Sequence, residues 1–132
     1  PAAASAAATA AVTANSAARN AANENVRGKI LYSQHCASCH MVDGSGVPNM
    51  QPSLADSAVL KGDPATLVRL ILKGPAAVLP ADRPKYSNVM AAFDTVLDDN
   101  QLADLASYAR QAFGGVTTAV TPAQVTALRK LP

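Results

Sequence analysis

The chain has two cysteines in 132 residues, and both fall in one pentapeptide, Cys36-Ala37-Ser38-Cys39-His40. Thiols at this spacing can add across the two vinyl groups of a single haem, and a histidine directly after the second thiol is placed to bind the iron. A macrocycle fixed to the chain at two points must be enclosed by whatever follows, so this stretch constrains the fold more than any other. Other uses of the same residues fit less well. A structural zinc site needs a second pair of ligands further along the chain, and the only other candidate, His35, adjoins the first cysteine. A thioredoxin-type redox pair needs a βαβ pattern around it, which residues 30–60 do not show. A disulfide between these two cysteines would close too short a loop to stabilise much.

Composition agrees with an enclosed cofactor. The hydrophobic fraction is 49%, yet there is no Trp and only three Tyr and two Phe, so side chains supply few large bodies for a core. A porphyrin supplies one. One domain is expected at this length. The net charge of +2, without a Lys/Arg run, gives no reason to expect nucleic-acid binding. No apolar run approaches the roughly 20 residues that span a bilayer. The start, Pro1-Ala2-Ala3-Ala4-Ser5, has no basic segment or Leu-rich run, and reads as a mature or trimmed N-terminus. Covalent haem attachment in bacteria belongs outside the cytoplasm, so a periplasmic location is expected.

Three segments are expected. Residues 1–23 are mostly Ala with Ser, Thr and Asn, and read as an extension or linker. Residues 24–115 hold the main pattern. It opens with Val26, Ile30, Leu31 and Tyr32 at helical spacing, ending at the first cysteine. Gly28 inside that helix costs about 1 kcal/mol relative to Ala, which is tolerable where another backbone must approach. Met41 to Leu60 is a loop punctuated by Gly44, Gly46, Pro48 and Pro52. Asp63-Pro64 starts a helix whose Leu67, Val68, Leu70, Ile71 and Leu72 look like core, with Gly74-Pro75 as its stop. A proline-rich crossing, with Pro80 and Pro84, leads to Met90. Asp98 and Gln101 form a capping box opening a helix with Leu102, Leu105, Tyr108, Ala109 and Ala112, closed by Gly114-Gly115. Residues 116–132 add a short helix after Thr121-Pro122, serving either as a clasp on the domain or as a contact for a partner. No strand pair is visible, so the class is all-α.

If His40 holds the iron on one side, an electron carrier fills the sixth position with a second side chain. Met41 adjoins His40 and is badly placed to reach the other face. Met90, about fifty residues on, has enough chain before it to travel round the haem edge. It is the favoured ligand, with Met50 or an open site as alternatives. His35 is expected to face solvent at the end of its helix.

Gly28, Tyr32, Cys36, Cys39, His40, Pro52, Leu54, Tyr86, Met90, Leu105 and Tyr108 together resemble a class I c-type cytochrome. More narrowly, GVPNMQPSLADS, GDPATLVRLILKG, YSNVMAAFDTVLDDNQLADLASYARQAFG and VTPAQVTALR resemble the monohaem cytochrome c subunits and domains of bacterial periplasmic alcohol, aldehyde and related dehydrogenases. The resemblance covers roughly 24–130 and implies three to five helices around one covalently bound haem c. It further implies that Gly28 and Tyr32 cross Leu105 and Tyr108, that the Pro52 carbonyl accepts from His40 Nδ1, and that Tyr86 lines the haem pocket. Ala91 and Ser53 stand where the family often has proline. The implied function is electron transfer rather than catalysis: electrons come from a periplasmic dehydrogenase and leave to an oxidase or another cytochrome. The rival is a haem enzyme or gas sensor with an open distal site. The motif's place in the first third of the chain counts against that rival, because bundle-type cytochromes of that sort carry it near the C-terminus.

Overall fold

The computed structural model describes residues 21–55 and 57–132; most of the 1–23 segment lies outside them. The described residues form six α-helices and no β-sheet, only an isolated bridge between Val47 and Gln51. They are α1 (21–35), α2 (Ala37–His40), α3 (Ala58–Lys61), α4 (Pro64–Lys73), α5 (Asp99–Gly114) and α6 (Pro122–Arg129), with a 3-10 turn at Pro75–Ala77. The all-α expectation holds. The count exceeds five because α2 and α3 are single turns, too short for hydrophobic periodicity to show them.

Helix α1 crosses α5 with almost no side chain between the backbones. A methyl group on Gly28 would stand 2.3 Å from the Asp104 carbonyl oxygen and 2.6 Å from Tyr108 Cβ. Beside the crossing, Arg27 Nε donates to Asp104 Oδ2 at 2.9 Å. One turn further along, Tyr32 packs against the rings of Tyr108 and Phe113, with centroids 5.8 and 5.0 Å away. The inward face of α1 is therefore Gly28, Leu31 and Tyr32. Val26 and Ile30 lie two residues to either side of Gly28, hence about 200° round the helix, and are more than half exposed. They were expected among the apolar face; the backbone approach at Gly28 decides otherwise.

Helices α4, α5 and α6 build the core. Asp63 caps α4 by accepting from Ala65 N at 2.9 Å, and Pro64 occupies the first turn, where its missing N–H leaves no bond unmade. Asp98 and Gln101 form a reciprocal box at the start of α5, and Gly115 ends it in the left-handed conformation. Thr121 and Gln124 repeat the box on α6. Helix α6 is a clasp: Val125 is fully buried, and Arg129 donates to Asp99 Oδ1 at 2.7 Å and to the carbonyls of Asp94 and Leu97. Arg110 is also buried, donating to the carbonyls of Leu60, Gly62 and Thr118, so one cation ties α5 to both chain segments beside it. Its charge is tolerable there because those bonds replace water.

The Gly28 crossing can be tested by the sign of a single substitution. Helix propensity alone would make Gly28→Ala stabilising by about 1 kcal/mol. The overlap with Asp104 and Tyr108 instead leads us to expect a loss of about 1–3 kcal/mol in denaturant unfolding of the intact protein. A neutral or stabilising result would contradict this packing.

Candidate haem site

Cys36 directly follows α1 and His40 ends the single turn after it, with the His40 N–H bonded to the Cys36 carbonyl at 2.9 Å. The two cysteines are free; Cys36 is half-buried and Cys39 exposed. Burial, with Cys39 beside it, pushes the Cys36 thiol up to about 11. A redox-active or zinc-binding cysteine needs the opposite shift, toward thiolate at neutral pH. The Cys36 thiol is therefore poorly disposed to either of those chemistries.

His40 is buried, and its Nδ1 donates to the Pro52 carbonyl at 3.0 Å. With the proton on Nδ1, Nε2 carries the lone pair that a metal requires. The loop between these residues is built to hold that carbonyl. Gly46 N donates to His40 O at 2.9 Å, and Leu54 N and Ser53 Oγ donate to Gly44 O. Tyr32 Oη, arriving from α1, donates to Met41 O at 2.5 Å. Gly46 has φ +63°, and a Cβ there would lie 2.5 Å from the Pro52 oxygen.

The Met90 segment is fastened on both sides. Before it, Ser87 N and Asn88 N donate to the carbonyls of Asn49 and Met50 at 2.8 and 3.0 Å, and the Asn88 amide reaches Gln51 Oε1 at 2.5 Å. After it, Phe93 N donates to Ile71 O on α4 at 2.9 Å, and the Phe93 ring meets His35 edge-on at 5.8 Å. Met90 itself is half-buried and packs against the core, as do Cys36, Ala37, Leu54, Val59 and Phe93. Met50 and Tyr86 are 43% and 40% exposed. His35, expected to face solvent, is instead half-buried against Phe93. Gln51, 8% exposed, and Asn88 were not singled out in the sequence, which carries no periodic signal for a loop-to-loop amide bond.

The residues present fit a haem. Two free thiols lie one helical turn apart, an oriented imidazole lies beside them, and a tethered thioether sits among half-buried apolar side chains. The cytochrome c family model matches residues 25–113. The chain belongs to the cytochrome c family. Its cofactor is covalently held haem c and its role is electron transfer.

Relatives agree with the narrower resemblance. The cytochrome c subunit of the quinone alcohol dehydrogenase of Gluconobacter oxydans is 36% identical over 89 residues, which are 66% of this chain and 18% of that subunit. The gluconate 2-dehydrogenase cytochrome c subunit of Pantoea cypripedii is 31% identical over 112 residues, 82% of this chain and 25% of that subunit. Cytochrome c-552 of Thermus thermophilus is 30% identical over 91 residues, 66% of this chain and 68% of that protein. The chain thus spans a quarter or less of the two dehydrogenase subunits. Among the described residues, no helix is long and apolar enough to cross a membrane.

The Gly46 contact makes the His40 scaffold testable. Gly46→Ala places a side chain in the left-handed region and against the Pro52 oxygen. We expect a loss of about 2 kcal/mol in stability together with a shifted reduction potential, because the His40 hydrogen bond moves with that carbonyl. An unchanged potential in a destabilised variant would show that Pro52 does not tune His40.

Proposed function

We propose that Cys36 and Cys39 carry the haem as thioethers, that His40 and Met90 are its axial ligands, and that Pro52 and Tyr86 belong to its pocket. The observation that supports the ligand pair is the fastening of 87–93 between the His40 loop and α4, with Met90 half-buried against the core and Met50 43% exposed. When bound, haem c supplies a one-electron couple between ferric and ferrous iron. The Pro52 carbonyl holds the His40 ring in one tautomer, and the apolar residues around Met90 limit solvent access. Poor solvation of the extra positive charge on oxidation favours the ferrous state, and so a positive potential.

We take 24–115 as the electron-transfer unit, 116–132 as an extension clasped onto it, and 1–23 as a linker or extension. In this reading the protein is an electron-transfer subunit or carrier without substrate chemistry of its own. A periplasmic dehydrogenase is the donor and an oxidase or another cytochrome the acceptor; the identities to dehydrogenase subunits support the donor class. Ala76, Ala77, Ala91 and Ala92 are exposed short side chains flanking the Met90 loop, where a partner can come close without displacing long groups. Complexes of this kind are small and dissociate after each turnover.

The test is a pair of substitutions. Met90→Ala should keep its covalent haem, fall in potential and begin to bind carbon monoxide in the ferrous state, whereas Met50→Ala should do neither. The reverse pattern would overturn the assignment. Carbon monoxide binding by the unaltered protein would favour a haem enzyme or gas sensor.

A further inference from the structure

Helix α6 lies beyond the stretch that the family model matches, which ends at 113, yet it reaches back to the segment that carries Met90. That segment runs into a turn. Phe93 O accepts from Val96 N and Leu97 N at 3.1 and 3.0 Å, and the Leu97 side chain is buried in the core. Arg129, in the last turn of α6, grips the same turn: Nη1 donates to Asp94 O at 2.6 Å and Nη2 to Leu97 O at 2.8 Å. Its Nε donates to Asp99 Oδ1 at 2.7 Å, while Asp99 Oδ2 accepts from Thr126 Oγ1 at 2.5 Å. Pairing with Asp99 alone would have left the other two nitrogens to solvent. Instead the planar fork commits all three nitrogens, two of them to backbone carbonyls of one turn.

A latch must itself be anchored, and α6 is. Val125 is fully buried, Thr121 and Gln124 box the start of the helix, and Val120 N just before it donates to Ser107 Oγ on α5 at 2.8 Å. On the other side of the turn, Ala91 and Ala92 join Met90 to Phe93, and neither fixes its own φ as a proline would. The stiffness of that link therefore comes from what holds its far end, namely the Ile71 carbonyl at Phe93 and Arg129 at 94–97. We infer that α6 is a latch on the downstream end of the Met90 segment, and that Arg129 is a positioning residue for Met90. By holding 94–97 it limits how far the thioether can swing from its place. This rests on the reading of Met90 as an axial ligand and adds to it the element that makes the sulfur hard to displace.

The experiment uses the full haem-loaded chain, oxidised and without denaturant, and follows how fast added imidazole displaces the sixth ligand. Met90→Ala tests the ligand reading by itself: it should bind imidazole at once, and a rate equal to that of the unaltered protein would sink that reading whatever Arg129 does. Arg129→Gln then tests the latch. Displacement is expected to be about tenfold faster, the effect of losing one hydrogen bond from a charged donor, and the amide hydrogens of Val96 and Leu97 should exchange faster with it. Thr126→Val removes a bond to Asp99 but leaves those of Arg129, so both rates should stay as they are. An Arg129→Gln protein that is less stable to denaturant yet loses its sixth ligand at the unaltered rate would overturn the inference, since α6 would then add stability alone. Equal acceleration in Thr126→Val would overturn it too, by showing general loosening. Should Arg129→Gln take up no haem, Arg129→Lys replaces it, keeping the charge beside Asp99 without a fork to bridge both carbonyls. Faster displacement there supports the latch, and an unaltered rate overturns it.

Discussion

The approach of α1 to α5 at Gly28 fixes where the attachment segment can lie. Because no side chain separates the two backbones there, α1 has little freedom to roll or slide, and Tyr32, one turn on, is locked between Tyr108 and Phe113. Tyr32 then passes the constraint forward through its hydroxyl to the Met41 carbonyl, one residue past His40. The end of α1 and the imidazole are thus held by the same aromatic cluster. A protein with so few aromatic residues places three of them here, which accounts for how little is left to fill the rest of the interior without a cofactor.

From His40 the constraint runs through hydrogen bonds rather than packing. The Pro52 carbonyl holds the ring, the Asn49, Met50 and Gln51 groups hold 87–88, and the Ile71 carbonyl holds Phe93. These are loops, and loops fixed by backbone bonds can place a side chain as closely as helices do when each donor has an acceptor. The same reasoning explains the left-handed Gly44 and Gly46, where a side chain would collide with Phe113 or with the 51–52 backbone. On the far side, α6 closes over α4 and α5 through Val125 and the Arg129 bonds. That part of the fold carries no proposed ligand.

The legible parts were those written in local code. The capping box at Asp98, the Thr121-Pro122 helix start, the proline at the start of α4 and the Gly115 stop are short-range chemistry, and all four appear where the sequence puts them. The C-x-x-C-H motif is equally local. What could not be read depended on partners distant in sequence. Val26 and Ile30 match a helical face, but only the crossing at Gly28 says which face turns inward. The half-burial of His35 depends on Phe93, the Gln51 contact on Asn88, and the Arg110 bonds on three carbonyls from two segments. The Met90 proposal draws on both kinds of information: chain length permits it, and the tertiary hydrogen bonds of 87–93 support it.

The central claim is that this scaffold delivers Met90, and no other methionine, to the iron opposite the held imidazole. Proton NMR of the reduced holoprotein with labelled methionine methyls tests it most directly, since a methyl bound at the iron lies within the porphyrin ring current. There are three methionines. The account predicts one methyl signal shifted far upfield of the other two and assigned to Met90. Three methyls in the ordinary range, or an upfield signal belonging to Met50, would contradict it.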